Sequence, residues 1–93
     1  MIQSFGDADT EAVLDGRRPR RLPPDIMRRA QRKLVQLHTV TRLEDLAVPP
    51  GNRLEALAGD RRGRHSIRIN EQWRITFRWD AGHAYEVLIE DYH

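Results

Sequence analysis

The spacing of apolar residues changes near the middle of the chain. In residues 26–37 they recur every three or four positions, so that Ile26, Ala30, Leu34 and Leu37 share one face of a helix. After residue 53 apolar and polar residues alternate, which is typical of strands with one buried face. The pattern therefore predicts helices in the first half and strands in the second.

Sequence signals at the ends of the helical segments sharpen this prediction. Pro24 suits the first turn of a helix, where its missing N–H costs nothing. Asp9 and Gly16 are expected to begin and end a shorter helix, and Thr41 and Glu44 have the spacing of a capping box. The predicted helices are residues 9–15, 24–39 and 41–47, preceded by a short opening strand at residues 2–5.

The second half predicts a meander of short strands joined by turns. Candidate strands cover residues 53–57, 65–69, 73–79 and 85–91. Alternation turns one row of side chains toward the core: Trp73, Ile75, Phe77 and Trp79, then Tyr85, Val87 and Ile89. His65 shares the buried side of its strand and is interpreted as structural. We expect an α+β fold in a single domain, residues 1–93, with two to three N-terminal helices packed on one face of a twisted antiparallel sheet of four to five strands.

Composition excludes several classes of protein. There is no cysteine, so a disulfide framework or thiolate metal site is not expected. The first residues lack the pattern of a signal peptide, and the apolar runs are far too short to cross a membrane. These features indicate a cytoplasmic protein without a membrane partner.

Charge is modest in total but strongly uneven. The net charge is +2, yet residues 17–33 hold eight basic side chains against one acid, and residues 53–78 hold seven arginines against three acids. Residues 79–93 hold four acids and no lysine or arginine. Such local fields suit a nucleic-acid binder. A solvated helix face would explain the basic residues at 17–33 equally well. A genome that favours arginine codons would explain the excess of arginine over lysine.

The face of the sheet opposite the aromatic row is expected to be exposed and to carry Arg53, Arg68, Arg74 and Arg78. It is either a cradle for phosphate or a solvated charged surface. No spacing typical of a metal site occurs, and no cofactor is expected. The chemistry that fits is metal-free RNA cleavage: arginine stabilises the charged phosphorane, and His93 or Tyr92 transfers protons. Trp73 and Tyr92 could stack on a base.

Three segments resemble one family of toxins. Residues 48–61, with Pro49-Pro50-Gly51-Asn52-Arg53, residues 66–79, with Trp73-Arg74-Ile75-Thr76-Phe77, and the ending Glu90-Asp91-Tyr92-His93 are similar to the HigB branch of the RelE/ParE superfamily. The resemblance implies a type II toxin that cleaves mRNA on the 70S ribosome. It further implies a HigA-type helix-turn-helix antitoxin, through which alone the complex would bind operator DNA.

The resemblance also implies a basic, metal-free active site on the sheet, at Arg74 and His93 with Tyr92 and Asp91 in support. Some members carry a histidine and a lysine where this chain has Glu55 and Ala58. Glu55 could then act as the base, and Arg61, Arg62, Arg64 or Arg68 could replace the lost charge. The predicted catalytic residues are Arg74, His93, Tyr92, Asp91, Glu55 and Arg68. The predicted RNA- and ribosome-binding residues are Arg28, Arg29, Arg32, Lys33, Arg53, Arg61, Arg62, Arg64, Trp73 and Arg78.

Two other functions remain open at the level of sequence. Loss of the family lysine favours a catalytically weak module that serves mainly as antitoxin partner and co-repressor. A gyrase-poisoning toxin is the third hypothesis, because the same superfamily contains such toxins. The terminal Asp-Tyr-His and the arginine-rich sheet argue against it.

Overall fold

A computed structural model describes residues 1–91 as two α-helices followed by a four-stranded antiparallel sheet. The helices are α1 (Ala8–Leu14) and α2 (Met27–Thr39). The strands are β1 (Glu55–Ala56), β2 (Arg64–Arg68), β3 (Trp73–Asp80) and β4 (His83–Asp91), hydrogen-bonded in that order. The predicted α+β class is confirmed. Within the described residues the helices number two, so the third predicted helix is wrong.

The missing helix is a 3₁₀ turn, Leu43–Ala47. Arg42, not Thr41, is the residue at the start of this turn, and no side chain caps it. The predicted capping box of Thr41 and Glu44 therefore does not form. Val48 precedes a proline and is extended, which ends the segment before an α-helix can develop. The cap of α1 also differs, because Asp7 rather than Asp9 accepts the hydrogen bond from the Thr10 N–H, at 2.8 Å. None of the helices in residues 1–91 combines the length and apolar character needed to cross a bilayer.

The sheet is shorter at its beginning than the alternation predicts. β1 contains only two residues, and the predicted opening strand at residues 2–5 is reduced to two isolated parallel bridges, from Ile2 to Ala84 and from Phe5 to Val87. These bridges hold the N-terminal segment along β4. Both short segments lie at the edges of the sheet, where fewer neighbours extend the pairing.

One face of the sheet packs on the helices and forms the core. Ile67, Ile75 and Ile89 lie opposite one another on three neighbouring strands and are fully buried. Leu34 and Leu37 of α2 belong to the same buried cluster. The predicted inward row of β3 is therefore confirmed at Trp73, Ile75 and Phe77, with Trp79 partly buried against the cluster.

A β-bulge in β4 changes which of its residues are buried. Thr76 pairs with Leu88 but Arg78 pairs with Tyr85, so two β4 residues oppose Phe77. The bulge residue Glu86 has a φ of +54°. Because of this shift Ala84 joins the core, whereas Tyr85, predicted to be buried, lies under Arg78 with the guanidinium carbon 4.4 Å from the ring centre.

His65 lies on the core side of the sheet, as predicted. Its ring stacks on Phe77 with 6.1 Å between ring centres, and its buried Nδ1 has no hydrogen-bond partner among the described residues. Burial lowers the pKa of His65 from its ordinary value of 6.5. The native state therefore favours the neutral imidazole.

This burial predicts a pH dependence of stability. Because the folded pKa lies below 6.5, the unfolded chain binds the proton first as the pH falls. We expect the free energy of unfolding to decrease from pH 6.5 down to the folded pKa of His65 and then to level off. Urea unfolding of the wild type and of His65→Leu at several pH values gives the difference in their free energies of unfolding. This difference separates the contribution of His65 from those of the other histidines. A difference that does not change with pH in this window would contradict it.

Candidate active site

The sheet face opposite the helices carries the polar residues of β2 and β3. Two cross-strand rows define this polar face. Glu55, Ser66 and Thr76 form one row, and Arg68, Arg74 and Glu90 form the next. Ser66, Arg74 and Thr76 are nevertheless 0%, 5% and 2% exposed. The expectation of an exposed arginine face is therefore wrong at its centre, where polar groups are buried under neighbouring segments.

Arg74 is the central group of the polar face. Its Nε donates to the Ser66 hydroxyl at 3.0 Å, and one terminal nitrogen donates to the carbonyl of Arg53 at 2.9 Å. The same nitrogen lies 3.5 Å from a carboxylate oxygen of Glu55. A buried guanidinium requires such partners, because an unpaired charge in a dry environment is very costly. The partners fix its position and its orientation.

The carbonyl that holds Arg74 comes from a constrained turn. Pro50–Asn52 forms a 3₁₀ turn, and Arg53 ends it in the left-handed conformation, with φ of 47°. A non-glycine residue with this backbone is uncommon and carries a cost that the surrounding structure must offset. The hydrogen bond from Arg74 is one such offset, since it binds the carbonyl that the turn presents.

Glu90 organises the other side of the polar face, a role that the sequence patterns do not predict. Its carboxylate accepts hydrogen bonds from the Thr76 hydroxyl and from Arg61. Partial burial raises the pKa of Glu90 and is the largest single influence. The hydrogen bonds from Thr76 and Arg61, with the charges of Arg61 and Arg64, outweigh it, so that the pKa lies below its ordinary value. Glu90 is therefore ionised at neutral pH.

Most arginines of the polar face have a carboxylate partner. Arg64 lies 3.0 Å from the Glu86 carboxylate and also donates to the Glu86 carbonyl. Arg68 has a longer contact of 3.9 Å to Glu71, whose side chain is 95% exposed. The polar face is thus largely charge-balanced in the free protein, and an RNA phosphate there would compete with carboxylates for its arginines.

The predicted catalytic residues divide into two groups. Glu55, Arg68 and Arg74 lie together on the polar face. Asp91 is one step further along β4, opposite Trp73, and accepts a hydrogen bond from the Gln72 amide at 3.1 Å. Tyr92 and His93 lie outside the described residues, so their predicted roles stay predictions.

Trp73 is placed differently from its predicted RNA-binding role. Its side chain is 8% exposed and belongs to the core cluster. The aromatic row of β3 was correctly expected to face the helices, and Trp73 belongs to that row. The ring of Trp73 is therefore not available for an RNA base to stack on unless the core opens.

Four predicted RNA-binding residues meet in a cleft beside the polar face. This basic cleft, of about 430 Å³, lies between α2 and the turn that joins β2 to β3. Its charged lining comprises Arg29, Arg32, Lys33, Arg53, Arg68 and Glu71. Arg28 lies apart and lines a smaller pocket with Arg17 and Arg18. Arg62 is exposed in the loop between β1 and β2, and Arg61, Arg64 and Arg78 hold the contacts described above.

The arrangement suits chemistry on a phosphate. Within residues 1–91 no three histidine, cysteine, aspartate or glutamate side chains cluster in a way that could hold a metal ion. A fixed guanidinium can stabilise negative charge that develops on a phosphate, and a neighbouring carboxylate can accept a proton. Both groups are present at Arg74 and Glu55, 3.5 Å apart.

Comparison with known proteins gives a consistent result. The profile of the family described as "RelE-like toxin of type II toxin-antitoxin system HigB" matches residues 5–93. A relative named "Toxin HigB-1", from Vibrio cholerae serotype O1, is 40% identical over 76 residues, which cover 82% of this chain and 80% of the relative. A relative named "Endoribonuclease HigB", from Proteus vulgaris, is 33% identical over 97 aligned positions that span both chains completely.

The network of Glu90 generates a stability prediction. Because the folded pKa of Glu90 lies below 4.5, its contribution is present above pH 4.5 and is lost as the pH falls through the folded value. We expect Glu90→Gln to lower the free energy of unfolding by about 1 kcal/mol at pH 7, with the difference vanishing in strong acid. Glu71→Gln, which removes an exposed carboxylate, is the matched control and should change little. Equal effects of the two substitutions would contradict this role of Glu90.

Proposed function

Because the chain belongs to the family of RelE-like HigB toxins of type II toxin–antitoxin systems, we propose that it arrests translation by cleaving mRNA on the ribosome, at the polar face of its sheet. The chain is accordingly a toxin with endoribonuclease activity. Three parts of this function are proposals: dependence on the ribosome, independence of metal ions and the identity of the catalytic residues.

The observation that carries this proposal is the setting of Arg74. Arg74 is 5% exposed, and its guanidinium is held by Ser66, the carbonyl of Arg53 and Glu55. Groups oriented in advance stabilise a transition state without a further cost of reorganisation. The adjoining Arg68, opposite Arg74 in the sheet, adds a second positive charge.

In the proposed reaction the 2′-hydroxyl of a nucleotide attacks the adjacent phosphorus. A base removes the hydroxyl proton, arginine stabilises the pentacoordinate phosphorane, and an acid protonates the departing 5′-oxygen. The products are a 2′,3′-cyclic phosphate and a 5′-hydroxyl. We assign the cationic role to Arg74 and Arg68, proton transfer to Glu55 and His93, and supporting roles to Tyr92 and Asp91.

The partners follow from the class of toxin. A type II toxin has a protein antitoxin. We propose that this antitoxin is of the HigA type, with a helix-turn-helix domain, and that operator DNA is bound only through it. The basic residues of α2 and of the sheet would bind ribosomal RNA and mRNA, which places the action in the cytoplasm. Such contacts make affinity fall steeply with salt.

A second function is favoured by one observation. Ala58, where some family members carry lysine, is exposed immediately before the 3₁₀ turn Gly59–Arg61. No positive charge therefore arises at this position, and the chain could be a weak nuclease that acts mainly as antitoxin partner and co-repressor. Cleavage of mRNA by the purified chain, with and without ribosomes, separates the two functions.

Substitution of the central cation tests the proposed site. We expect Arg74→Lys and His93→Ala each to relieve growth arrest on expression and to lower cleavage on ribosomes by roughly 100-fold or more. Lysine keeps the charge of Arg74 but not its planar set of donors. Thermal unfolding of both variants controls for loss of the fold. If both variants stay fully toxic, the site lies elsewhere.

The role of Glu55 is tested by exchange of its proton-accepting group. We expect Glu55→Gln to lower the cleavage rate by about 100-fold or more and Glu55→His to restore part of it. A base must be deprotonated to act, so activity falls below its pKa. The acidic limb of the pH–rate profile should therefore move to higher pH in Glu55→His, since a protonated imidazole is a weaker acid than a carboxyl group. If the acidic limb of the pH–rate profile does not move in Glu55→His, Glu55 only orients Arg74.

A further inference from the structure

The basic cleft differs from the polar face in its charge balance. Its lining has five cations and one acid, Glu71, which is 95% exposed and 3.9 Å from Arg68. Among the described residues no ion pair is formed by Arg29, Arg32, Lys33 or Arg53, whereas Arg61, Arg64 and Arg74 all have carboxylate partners. The cleft therefore keeps an unbalanced positive charge in the free protein.

Two of these cations are held in place by the backbone and by a buried amide. Arg29 donates to the carbonyl of Ile69 at 3.1 Å, which ties α2 to the end of β2. Lys33 donates to the side-chain oxygen of Asn52, which is fully buried. The amide nitrogen of Asn52 in turn donates to the Leu46 carbonyl at 3.0 Å and to the Gln36 side chain at 3.1 Å.

This arrangement holds Lys33 against the repulsion of its neighbours. Burial, followed by the charges of Arg32 and Arg29, lowers the pKa of Lys33. An anion placed between these side chains would relieve the repulsion. The structure thus maintains a cluster of like charges that an anionic ligand would stabilise.

Arg53 connects the cleft to the proposed active site. Arg53 lines the cleft, and its carbonyl accepts the hydrogen bond from Arg74. Arg68 also belongs to both, because it lines the cleft and lies opposite Arg74 in the sheet. The cleft and the proposed active site are therefore adjacent surfaces.

On these grounds we propose that the basic cleft is a second phosphate site, separate from the catalytic one, which binds a non-scissile RNA phosphodiester between Arg29, Arg32 and Lys33 of α2 and Arg53 of the turn. Asn52 is its positioning residue, since it fixes Lys33 without reaching the ligand. This site deepens the function proposed above, because it assumes that the ligand of this surface is RNA.

Gly51 offers a way to block the cleft without disturbing the fold. It lines the cleft, and a Cβ added there would meet no heavy atom within 4 Å. In Gly51→Glu the new carboxylate would lie among the cations and compete with phosphate. Ala8→Glu adds the same charge at an exposed position of α1 and serves as the matched control.

The first experiment titrates the free protein with inorganic phosphate, followed by NMR of the backbone amides. We expect shifts at residues 32–33, 51–53 and 69–70, an affinity at least about tenfold weaker in Gly51→Glu, and no change in Ala8→Glu. Thermal stability should be equal or higher in Gly51→Glu, because the carboxylate relieves repulsion. Arg32→Gln, at an exposed side chain, is a second variant and should also weaken phosphate binding. Shifts elsewhere, or equal affinity in Gly51→Glu and Ala8→Glu, would overturn the site.

The second experiment identifies the source of the phosphodiester on the ribosome. Messenger RNAs carrying one uncharged methylphosphonate linkage, at successive positions beside the cleavage point, are compared as substrates. If one position slows the wild type but does not slow Gly51→Glu further, the phosphate belongs to mRNA. If no position has this effect but Gly51→Glu weakens ribosome binding, the phosphate belongs to ribosomal RNA. In that case the salt dependence of ribosome binding should be smaller in Gly51→Glu by about one phosphate contact. Ribosome binding and cleavage by Gly51→Glu equal to those of Ala8→Glu would overturn the proposal.

The two proposals can fail separately. If wild-type protein binds inorganic phosphate in the cleft as described but cleaves no mRNA on ribosomes, the phosphate site stands and the proposed function falls. If cleavage occurs and depends on Arg74 while phosphate does not bind in the cleft, the function stands and the second site falls.

Discussion

The burial of one positive charge, that of Arg74, is the constraint on which the rest of the site depends. An arginine that is only 5% exposed is tolerated only where oxygen acceptors surround its guanidinium. Ser66 supplies a hydroxyl from the neighbouring strand, Arg53 a carbonyl from the preceding turn, and Glu55 a carboxylate from the edge strand. Three separate segments must therefore meet before Arg74 is satisfied, which makes the geometry of the site a product of the whole sheet.

Alternation along the chain predicts which face of β3 each residue occupies, and it does so correctly from Trp73 to Phe77. It fails at one position of β4, where Tyr85 was expected in the core, although Val87 and Ile89 of the same predicted row are buried. A bulge at Glu86 displaces the register by one residue, and a glutamate in the left-handed conformation gives no sequence signal of the kind that glycine would. The third helix fails for a related reason, because Val48 and its proline neighbours end the segment within a 3₁₀ turn.

The sequence predicted that some residues of the candidate site lie together, but it did not predict their environment. Arg74, Arg68 and Glu55 were assigned to the site from the resemblance and from alternation, and the structure brings them together. That Arg74 would be buried could not be read from its strand, because the groups that cover it are distant in sequence. Pairing of Glu90 with Arg61 depends on a loop 29 residues away, and spacing along β4 gives no indication of it.

The turn at residues 49–53 shows how a short motif can serve two surfaces. Its proline and glycine pattern predicts only a change of secondary structure, yet its last two residues point their hydrogen-bonding groups in different directions. Asn52 is buried and holds Lys33 in the basic cleft, while the carbonyl of Arg53 holds Arg74 on the polar face. Arg53 therefore takes part in both surfaces, since its carbonyl accepts the hydrogen bond from Arg74 and the residue lines the cleft. A shift of this turn would therefore move the contacts of Lys33 and of Arg74 together.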